Sequence, residues 1–403
     1  MRENSWLQSA NPAFRLMIAT SWLAPEGWQE HQEKGIREAI GAGVDWTEYL
    51  RLVDRHRTPA LSWAALKRVP GLEIPESARR ELQKRSDACR MQAVRHSLML
   101  TEVLQGFNCA GIPVMTLKGP LLSLELYGDV GLRQSKDLDL ACTLEDISRA
   151  QTCLEALGWR LDPDYFPLTP RQLEGFLRHE FHIGFVQSSG DCCLELHWRN
   201  HGDTPAQTAA QWARCVPFVW QGSSCLAMNS IDLVLYLCSH GGRHGWMRAK
   251  WLGDMARIRA QENVDWQATM DYALRTGQER PLLATLRLLE YVYGLPVPDL
   301  KGDPWKNLPR FLIDSSLRTL KVAEDPAARG ILAWFEDGFR LNRYDWLVMP
   351  HRTLRDILAD FAYRRADFRV VRLPDSLYWA YVPLRPILWF WRRVLSGCRS
   401  ANG

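Results

Sequence analysis

The chain has 403 residues, of which 46% are hydrophobic and 24% are charged, and its formal net charge at pH 7 is +4. This composition is typical of a globular protein whose core needs no disulfides, and the length is enough for about two to three domains. The weak positive charge does not indicate a nucleic-acid footprint, so we expect no DNA partner.

The ten cysteines of the sequence show no spacing typical of a metal site. Cys192 and Cys193 are adjacent, and neighbouring cysteines do not suit a disulfide framework. The pattern therefore indicates reduced thiols in a cytoplasmic protein.

Four regions follow one another along the chain. Residues 1–108 carry apolar residues at three- and four-residue steps and predict an N-terminal helical region. Residues 109–200 alternate between short apolar runs and helical stretches in the order β-α-β-α-β-β. Residues 201–297 predict a C-terminal helical domain, and residues 298–403 a Trp-rich helical extension. The fold class predicted is therefore α+β, a mixed sheet with helices between two helical regions.

The Trp-rich segment near the C-terminus raises the question of a membrane. Pro383, Arg385 and Pro386 interrupt its apolar run, which is therefore too short to span a bilayer. We expect it to pack on the rest of the protein. Peripheral membrane contact through Arg392 and Arg393 is the alternative.

Two carboxylates lie on the strand predicted by the alternating run DLDL. Asp137 and Asp139 share one face because side chains two positions apart on a strand point the same way, whereas Leu138 points to the core. Their charges repel by roughly 2–3 kcal/mol at an effective dielectric constant of about 20. Either water solvates both carboxylates at an edge strand, or a divalent cation such as Mg²⁺ lies between them.

The preceding segment is suited to phosphate. Gly119 lies between a predicted buried strand and a short helix, where backbone N–H groups can approach a phosphate. Lys118, Arg133 and Lys136 supply cations beside the carboxylates, as expected for the phosphates of a nucleotide.

A third carboxylate comes from a later strand, predicted by the run CLELHW. Its alternation places Glu195 and His197 on one face. Metal-assisted phosphoryl chemistry uses such a carboxylate cluster to hold two ions about 3.5–4 Å apart. The sequence therefore predicts Asp137, Asp139 and Glu195 as metal ligands.

These motifs together resemble the uncharacterised bacterial nucleotidyltransferases of the DNA polymerase β-like superfamily. The resemblance covers about residues 109–260 and rests on the following residues: Lys118-Gly119, Leu126-Tyr127, Arg133, Asp137-Leu138-Asp139-Leu140, Leu194-Glu195-Leu196-His197-Trp198, His240, Trp251 and Asp254. The spacing of Arg133, Ser135, Asp137 and Asp139 is also similar to that of abortive-infection and toxin-type nucleotidyltransferases.

The resemblance implies a polymerase β-like core and a Mg²⁺-dependent enzyme that transfers a nucleoside monophosphate from an NTP. Asp137 and Asp139 would bind two Mg²⁺ ions, and Glu195 would bind the ion nearest the acceptor hydroxyl and help to remove its proton. Pyrophosphate would leave against Lys118 and Arg133. The acceptor, a small molecule, a peptide or an RNA, is not identified by the sequence, nor is the oligomeric state.

Three further residues are expected in the acceptor pocket. His197 shares a face with Glu195. His240 and His244 straddle a Gly241-Gly242 pair that predicts a break between two helices, and Lys250 lies in the predicted helix after it. A polar loop over the junction between domains is the alternative interpretation of His240 and Lys250.

One departure from the family pattern leaves other functions open. Pro120 follows Gly119, where the superfamily usually has Ser or Gly, so one phosphate-binding N–H is absent. A non-catalytic nucleotide- or partner-binding module with the same fold is therefore one alternative. A toxin-type nucleotidyltransferase that acts on tRNA is another, although the chain has no basic run.

Overall fold

The structure, a computed structural model, describes residues 5–321 and 365–399 apart from residues 164, 166, 189 and 191. Residues 322–364 of the predicted C-terminal extension, and the side chains of Arg392 and Arg393 invoked for membrane contact, lie outside the described part. The predicted division of the chain at residues 108, 200 and 297 stays a prediction.

The N-terminal part is helical, as predicted. Its helices are α1 Ser5–Gln8, α2 Pro12–Thr20, α3 Gln29–Gly41, α4 Trp46–His56, α5 Pro59–Arg68 and α6 Glu76–Cys109. Helix α6 has 34 residues, which corresponds to about 51 Å at 1.5 Å per residue. Its first half contributes Leu82 to the helical core, and its second half contributes Phe107 to the core beneath the sheet.

A seven-stranded mixed sheet follows, with helices between its strands. The strands are β1 Met115–Thr116, β2 Asp137–Ala141, β3 Trp159–Leu161, β4 His182–Gln187, β5 Cys193–His197, β6 Val216–Trp220 and β7 Ser223–Ala227. The helices are α7 Pro120–Tyr127, α8 Ile147–Ala156, α9 Pro170–His179 and α10 Pro205–Arg214. The spatial order is β3-β4-β5-β2-β1-β7-β6, with β2/β5 and β1/β7 parallel and the other pairs antiparallel.

The α+β class predicted from the sequence is therefore confirmed, but the sheet is larger than predicted. Strands β6 and β7 extend it beyond residue 200, where the strand-containing core was expected to end. They form a hairpin whose two turn residues, Gln221 and Gly222, both have positive φ (46° and 84°), as in a type I′ turn. The segment was not predicted because its strands are short and do not alternate clearly.

The C-terminal part is again helical. Its helices are α11 Ser230–Arg243, α12 Ala249–Ala260, α13 Trp266–Thr276, α14 Glu279–Tyr293, α15 Arg310–Lys321, α16 Arg365–Val370 and α17 Tyr381–Arg399. Leu16 and Leu52 from the N-terminal helices share one hydrophobic core with Leu252 and Leu286 from this part. The two helical regions, far apart in sequence, thus form one body beside the sheet.

Helix α17 contacts α9 through Tyr381 and exposes other side chains among its described residues. Tyr381 is fully buried and its hydroxyl accepts a hydrogen bond from Gln172 Nε2 (3.2 Å), whereas Phe390 and Trp391 are more than half exposed. In the described part of the chain, no helix combines the length and apolar character that crossing a bilayer requires.

Candidate active site

The register of β2 and β5 brings two carboxylates together. The strands run parallel, with Asp139 opposite Glu195, Leu138 opposite Leu194 and Asp137 opposite Cys193. Because paired residues project from the same face of a sheet, Glu195 lies beside Asp139 while both leucines enter the core. Convergence of these two carboxylates from separate strands is what the sequence pattern predicts.

His197 completes a cluster with these carboxylates. One ligand atom from each of Asp139, Glu195 and His197 lies within 4.8 Å of the others. His197 Nε2 is 3.3 Å from Glu195 Oε2 and 3.6 Å from Asp139 Oδ1. Asp139 Oδ1 is buried and has no hydrogen-bond partner, as expected of an atom prepared for a cation. Two carboxylates and an imidazole are a donor set that fits a divalent metal ion.

Lys118 offsets part of the negative charge of the Asp139 and Glu195 carboxylates. Its Nζ lies 3.2 Å from Asp139 Oδ2, and the side chains of Lys118 and Asp139 are 11% and 2% exposed. Burial alone would raise the pKa of Asp139, but the Lys118 ammonium and His197 hold that pKa below the usual range. Burial would likewise lower the pKa of Lys118, whereas Asp139 raises it. The pair therefore stays ionised at neutral pH, with Lys118 at the edge of the cleft.

Asp137 shares the face of Asp139 but lies outside the three-residue cluster. Burial and the negative charge of Asp139 raise the pKa of Asp137 to about 6. The structure thus places two of the three predicted carboxylate ligands beside His197, and places the third, Asp137, two residues away from Asp139 along β2.

The glycine-containing loop passes directly beside Asp137. Gly119 has φ 78° and ψ −144°, a conformation reached almost only by glycine, and a Cβ atom there would lie 3.9 Å from the carbonyl oxygen of Asp137. Pro120 is the first residue of α7, a position whose N–H has no partner within the helix in any case. Proline at this position therefore suits the start of the helix, although it removes one donor from the loop.

The structure does not bring Arg133 into the cleft. Its Nε donates to Asp254 Oδ2 (2.8 Å), and both residues are at most 2% exposed. The hydroxyl of Tyr127 donates to the other carboxylate oxygen of Asp254 (3.2 Å). Arg133 thus connects the loop before β2 to helix α12. This contact does not follow from the phosphate-binding role that the sequence predicts for Arg133.

The other two predicted lysines also lie away from the cleft lining. Lys136 is exposed. Lys250 is buried, and its Nζ donates to the carbonyl oxygen of Gln134 (2.7 Å). Burial and the nearby Arg133 hold the pKa of Lys250 well below its ordinary value.

A cleft opens beside the cluster of Asp139, Glu195 and His197, and its volume, with the open mouth included, is about 730 Å³. Among the residues that line it are Lys118, Glu195, His197, Tyr236, His240 and Arg243. Its wall continues through Asn200, Asp203 and Gln211, which follow β5 in the chain. The cleft is therefore open to Glu195 and His197, while Asp137 and Gly119 do not line it.

His240, which the sequence predicts in the acceptor pocket, lines this cleft, and the break expected at Gly241-Gly242 begins just after that pair, at residues 244–248 between α11 and α12. Helix α11 continues through Gly241, and a Cβ atom at this position would come within 2.4 Å of the Trp246 ring. The glycine therefore allows close packing and does not interrupt the helix. His240 lies against Trp251 (5.1 Å between ring centroids), and burial and Lys118 hold its pKa well below the ordinary value.

His182 also lies beside the cluster, and the sequence alone does not reveal this proximity. It lies opposite His197 in the β4–β5 pair, with ring centroids 5.1 Å apart. Burial and the proximity of His197 lower the pKa of His182 to about 4. The alternation of β4 predicts the face of the strand from which His182 projects. The position of His182 beside His197 depends on the pairing of β4 with β5, which the sequence does not show.

A protein-family model described as an uncharacterised nucleotidyltransferase matches residues 42–294. This range contains every residue of the cluster and of the cleft wall named above. No curated protein and no solved structure matches the chain.

Proposed function

We propose that this chain, which belongs to the uncharacterised nucleotidyltransferase family, transfers a nucleoside monophosphate from an NTP to a hydroxyl or phosphate acceptor in a Mg²⁺-dependent reaction. The observation that carries the proposal is the cluster of Asp139, Glu195 and His197, which lies at a cleft within the matched range.

The residues present fit a divalent cation. Asp139 and Glu195 would hold it, with His197 beside them and Asp137 available for a second ion. The unpartnered, buried Oδ1 of Asp139 supports this assignment. A bound Mg²⁺ would offset the negative charge that develops on the transferred phosphoryl group and on the departing pyrophosphate.

The chain's own groups have separate tasks in this proposal. Lys118 would place its ammonium group against the phosphates, since it lies at the boundary between Asp139 and the cleft. Glu195 lines the cleft and would accept the proton of the acceptor hydroxyl. Its pKa, which burial would raise, is held below the ordinary value by the nearby His197, whose Nε2 lies 3.3 Å from Glu195 Oε2, so the carboxylate is ready to act as a base.

Phosphate binding would depend on a smaller set of groups than the sequence predicts. The Gly119 loop, Lys118 and the exposed Lys136 remain candidates, whereas the Arg133 side chain is committed to Asp254. The nucleotide would therefore lie on the Asp137 side of the cluster and the acceptor on the Glu195 side.

Incubation with each NTP and Mg²⁺, followed by measurement of released pyrophosphate, tests the proposal. The wild-type protein is expected to release pyrophosphate, and the Asp137→Asn and Asp139→Asn variants to lose this activity. Asp271→Asn, which changes an exposed carboxylate on α13, is the matched control and should behave as wild type. Turnover unchanged in both Asp137→Asn and Asp139→Asn would refute the assignment.

A non-catalytic nucleotide-binding module is the second candidate. Pro120 in the phosphate-binding loop and the enclosure of Arg133 both favour it, since each removes a group from phosphate. Saturable NTP binding without release of pyrophosphate, under the same conditions, would support this candidate.

A further inference from the structure

The cleft wall beyond Glu195 is built from three polar side chains that bond to one another. Asn200 lies in the loop after β5, Asp203 precedes helix α10, and Gln211 is on α10. Asn200 Nδ2 donates both to Asp203 Oδ2 (2.9 Å) and to Gln211 Oε1 (3.0 Å). The wall is therefore held in one arrangement before any ligand arrives.

This bonding leaves a specific set of groups for a ligand. In the part of the chain that the structure describes, Asp203 Oδ1 and Gln211 Nε2 have no hydrogen-bond partner, although Gln211 is only 8% exposed. One is an acceptor and the other a donor, and both belong to side chains that line the cleft. Neither atom is among the fully buried unpaired polar atoms of the described residues, so both face the open cleft, where a ligand can reach them.

The two carboxylates of this wall differ in their partners. Asp232 is bonded twice by Arg214 (2.7 and 3.1 Å) and is thereby neutralised. Asp203 forms no ion pair among the described residues, and its one side-chain partner, Asn200, is neutral. Burial and the nearby Asp232 raise the pKa of Asp203 to about 7, against the opposing effects of Asn200 and Arg199. A cation bound beside Asp203 would relieve this unfavourable burial of charge.

We infer that Asn200, Asp203 and Gln211 form the acceptor subsite, and that the acceptor is a small polyhydroxylated molecule carrying a protonated amine. The inference rests on the proposed function and names the substrate class of that same cleft. The amine would bind to Asp203, and neighbouring hydroxyl groups would accept from Gln211 and donate to Asn200. Another hydroxyl of the same molecule would then face Glu195.

A polyanionic acceptor does not suit this wall. The cations that line the described cleft are Lys118 and Arg243. The proposed function assigns Lys118 to the phosphates of the nucleotide, and Arg243 lies over the ring of Phe181 (5.0 Å). The wall formed by Asn200, Asp203 and Gln211 presents a carboxylate and amides to the ligand, and a carboxylate repels phosphate. The chemistry of the cleft therefore disfavours the end of an RNA strand.

Matched sugars that differ only in one group test the inference. Binding of glucosamine and glucose, and of galactosamine and galactose, is measured by titration calorimetry with the Mg²⁺-loaded full chain. Each amino sugar is expected to bind about tenfold more tightly than its hydroxyl analogue, which corresponds to one charged hydrogen bond. Equal affinity within both pairs, or binding of none of the four, would overturn the inference.

Two variants separate the roles within the subsite. Asp203→Asn keeps an oxygen that can accept from Asn200, so it should fold and should lose the preference for the amine. Gln211→Ala should weaken the binding of the amino sugar and of its hydroxyl analogue by similar factors in each pair. An amine preference that persists in Asp203→Asn would also overturn the inference.

Pyrophosphate release measured on the same samples keeps this test independent of the proposed function. Release without any amine preference would refute the acceptor class alone. Amine preference without release would refute catalysis while leaving the subsite in place.

Discussion

Asp139 on β2 and Glu195 on β5 are direct partners across a pair of parallel strands. A shift of this pairing by one residue would turn Glu195 to the opposite face and destroy the cluster. The leucines at 138, 140, 194 and 196 oppose such a shift, because they would move from the core to the cleft side. The strand register and the geometry of the Asp139, Glu195 and His197 cluster are thus fixed by the same hydrophobic alternation.

The first prediction concerns the metal-binding cluster. Glu195→Gln should weaken binding of Mn²⁺, used as a probe for a divalent ion, by about tenfold or more, because the variant loses a charged ligand. His197→Gln should weaken it by a similar factor if the imidazole is a ligand. Titration calorimetry measures both, with Glu155→Gln on the exposed face of α8 as the control. Unchanged Mn²⁺ affinity in Glu195→Gln would show that the cluster does not hold the ion.

The second prediction concerns the ion pair of Arg133 with Asp254. Arg133→Met leaves a buried carboxylate without its cation, which should lower the free energy of unfolding by about 3–5 kcal/mol. Arg178→Met, in an exposed pair with Glu174, should cost less than about 1 kcal/mol. Urea denaturation measures both changes. Normal stability in Arg133→Met, combined with a raised KM for NTP, would instead support the phosphate-binding role predicted from the sequence.

The third prediction compares two glycines at the ends of α7. Both have positive φ, but Gly119 has ψ −144° and Gly128 has ψ 6°, which is the left-handed helical region. Gly128→Ala should therefore cost about 1 kcal/mol, whereas Gly119→Ala should cost more and should also impair NTP turnover. Thermal unfolding and pyrophosphate release give the two readouts. Equal effects of the two substitutions would contradict the special role of the Gly119 loop.

The fourth prediction is a dependence of stability on pH. The folded protein holds the pKa of Asp203 at about 7, above that of the unfolded chain, so the folded state binds the extra proton between about pH 4 and 7. The contribution of this group to stability is present below pH 4 and is lost as the pH rises through 7. Asp203→Asn should therefore raise the Tm at pH 8 and leave it nearly unchanged at pH 4. A Tm difference that is the same at both pH values would contradict this assignment.

The sequence predicts the parts of the site that depend on local alternation. The faces of Asp139, Glu195 and His197 follow from the two-residue period of a strand, and the loop at Gly119 follows from its position between a strand and a helix. These features need only short stretches of chain, and the structure places each of them as the pattern indicates.

Contacts between distant segments could not be predicted in this way. Arg133 and Asp254 are 121 positions apart, and nothing in either segment indicates the other as its partner. The subsite of Asn200, Asp203 and Gln211 depends on how α10 returns to the sheet after β5, which the sequence does not reveal. The β6–β7 hairpin was missed for a different reason, since its Gln221-Gly222 turn is a weak signal without clear flanking strands.

Transfer from NTP labelled at different phosphates tests the central claim most directly. With wild-type protein, Mg²⁺ and an amino-sugar acceptor, label at the α-phosphate should appear in the acceptor, and label at the γ-phosphate should appear in pyrophosphate. Both products should be absent with Asp139→Asn. Transfer of the γ label to the acceptor, or α-label transfer that survives in Asp139→Asn, would contradict the account.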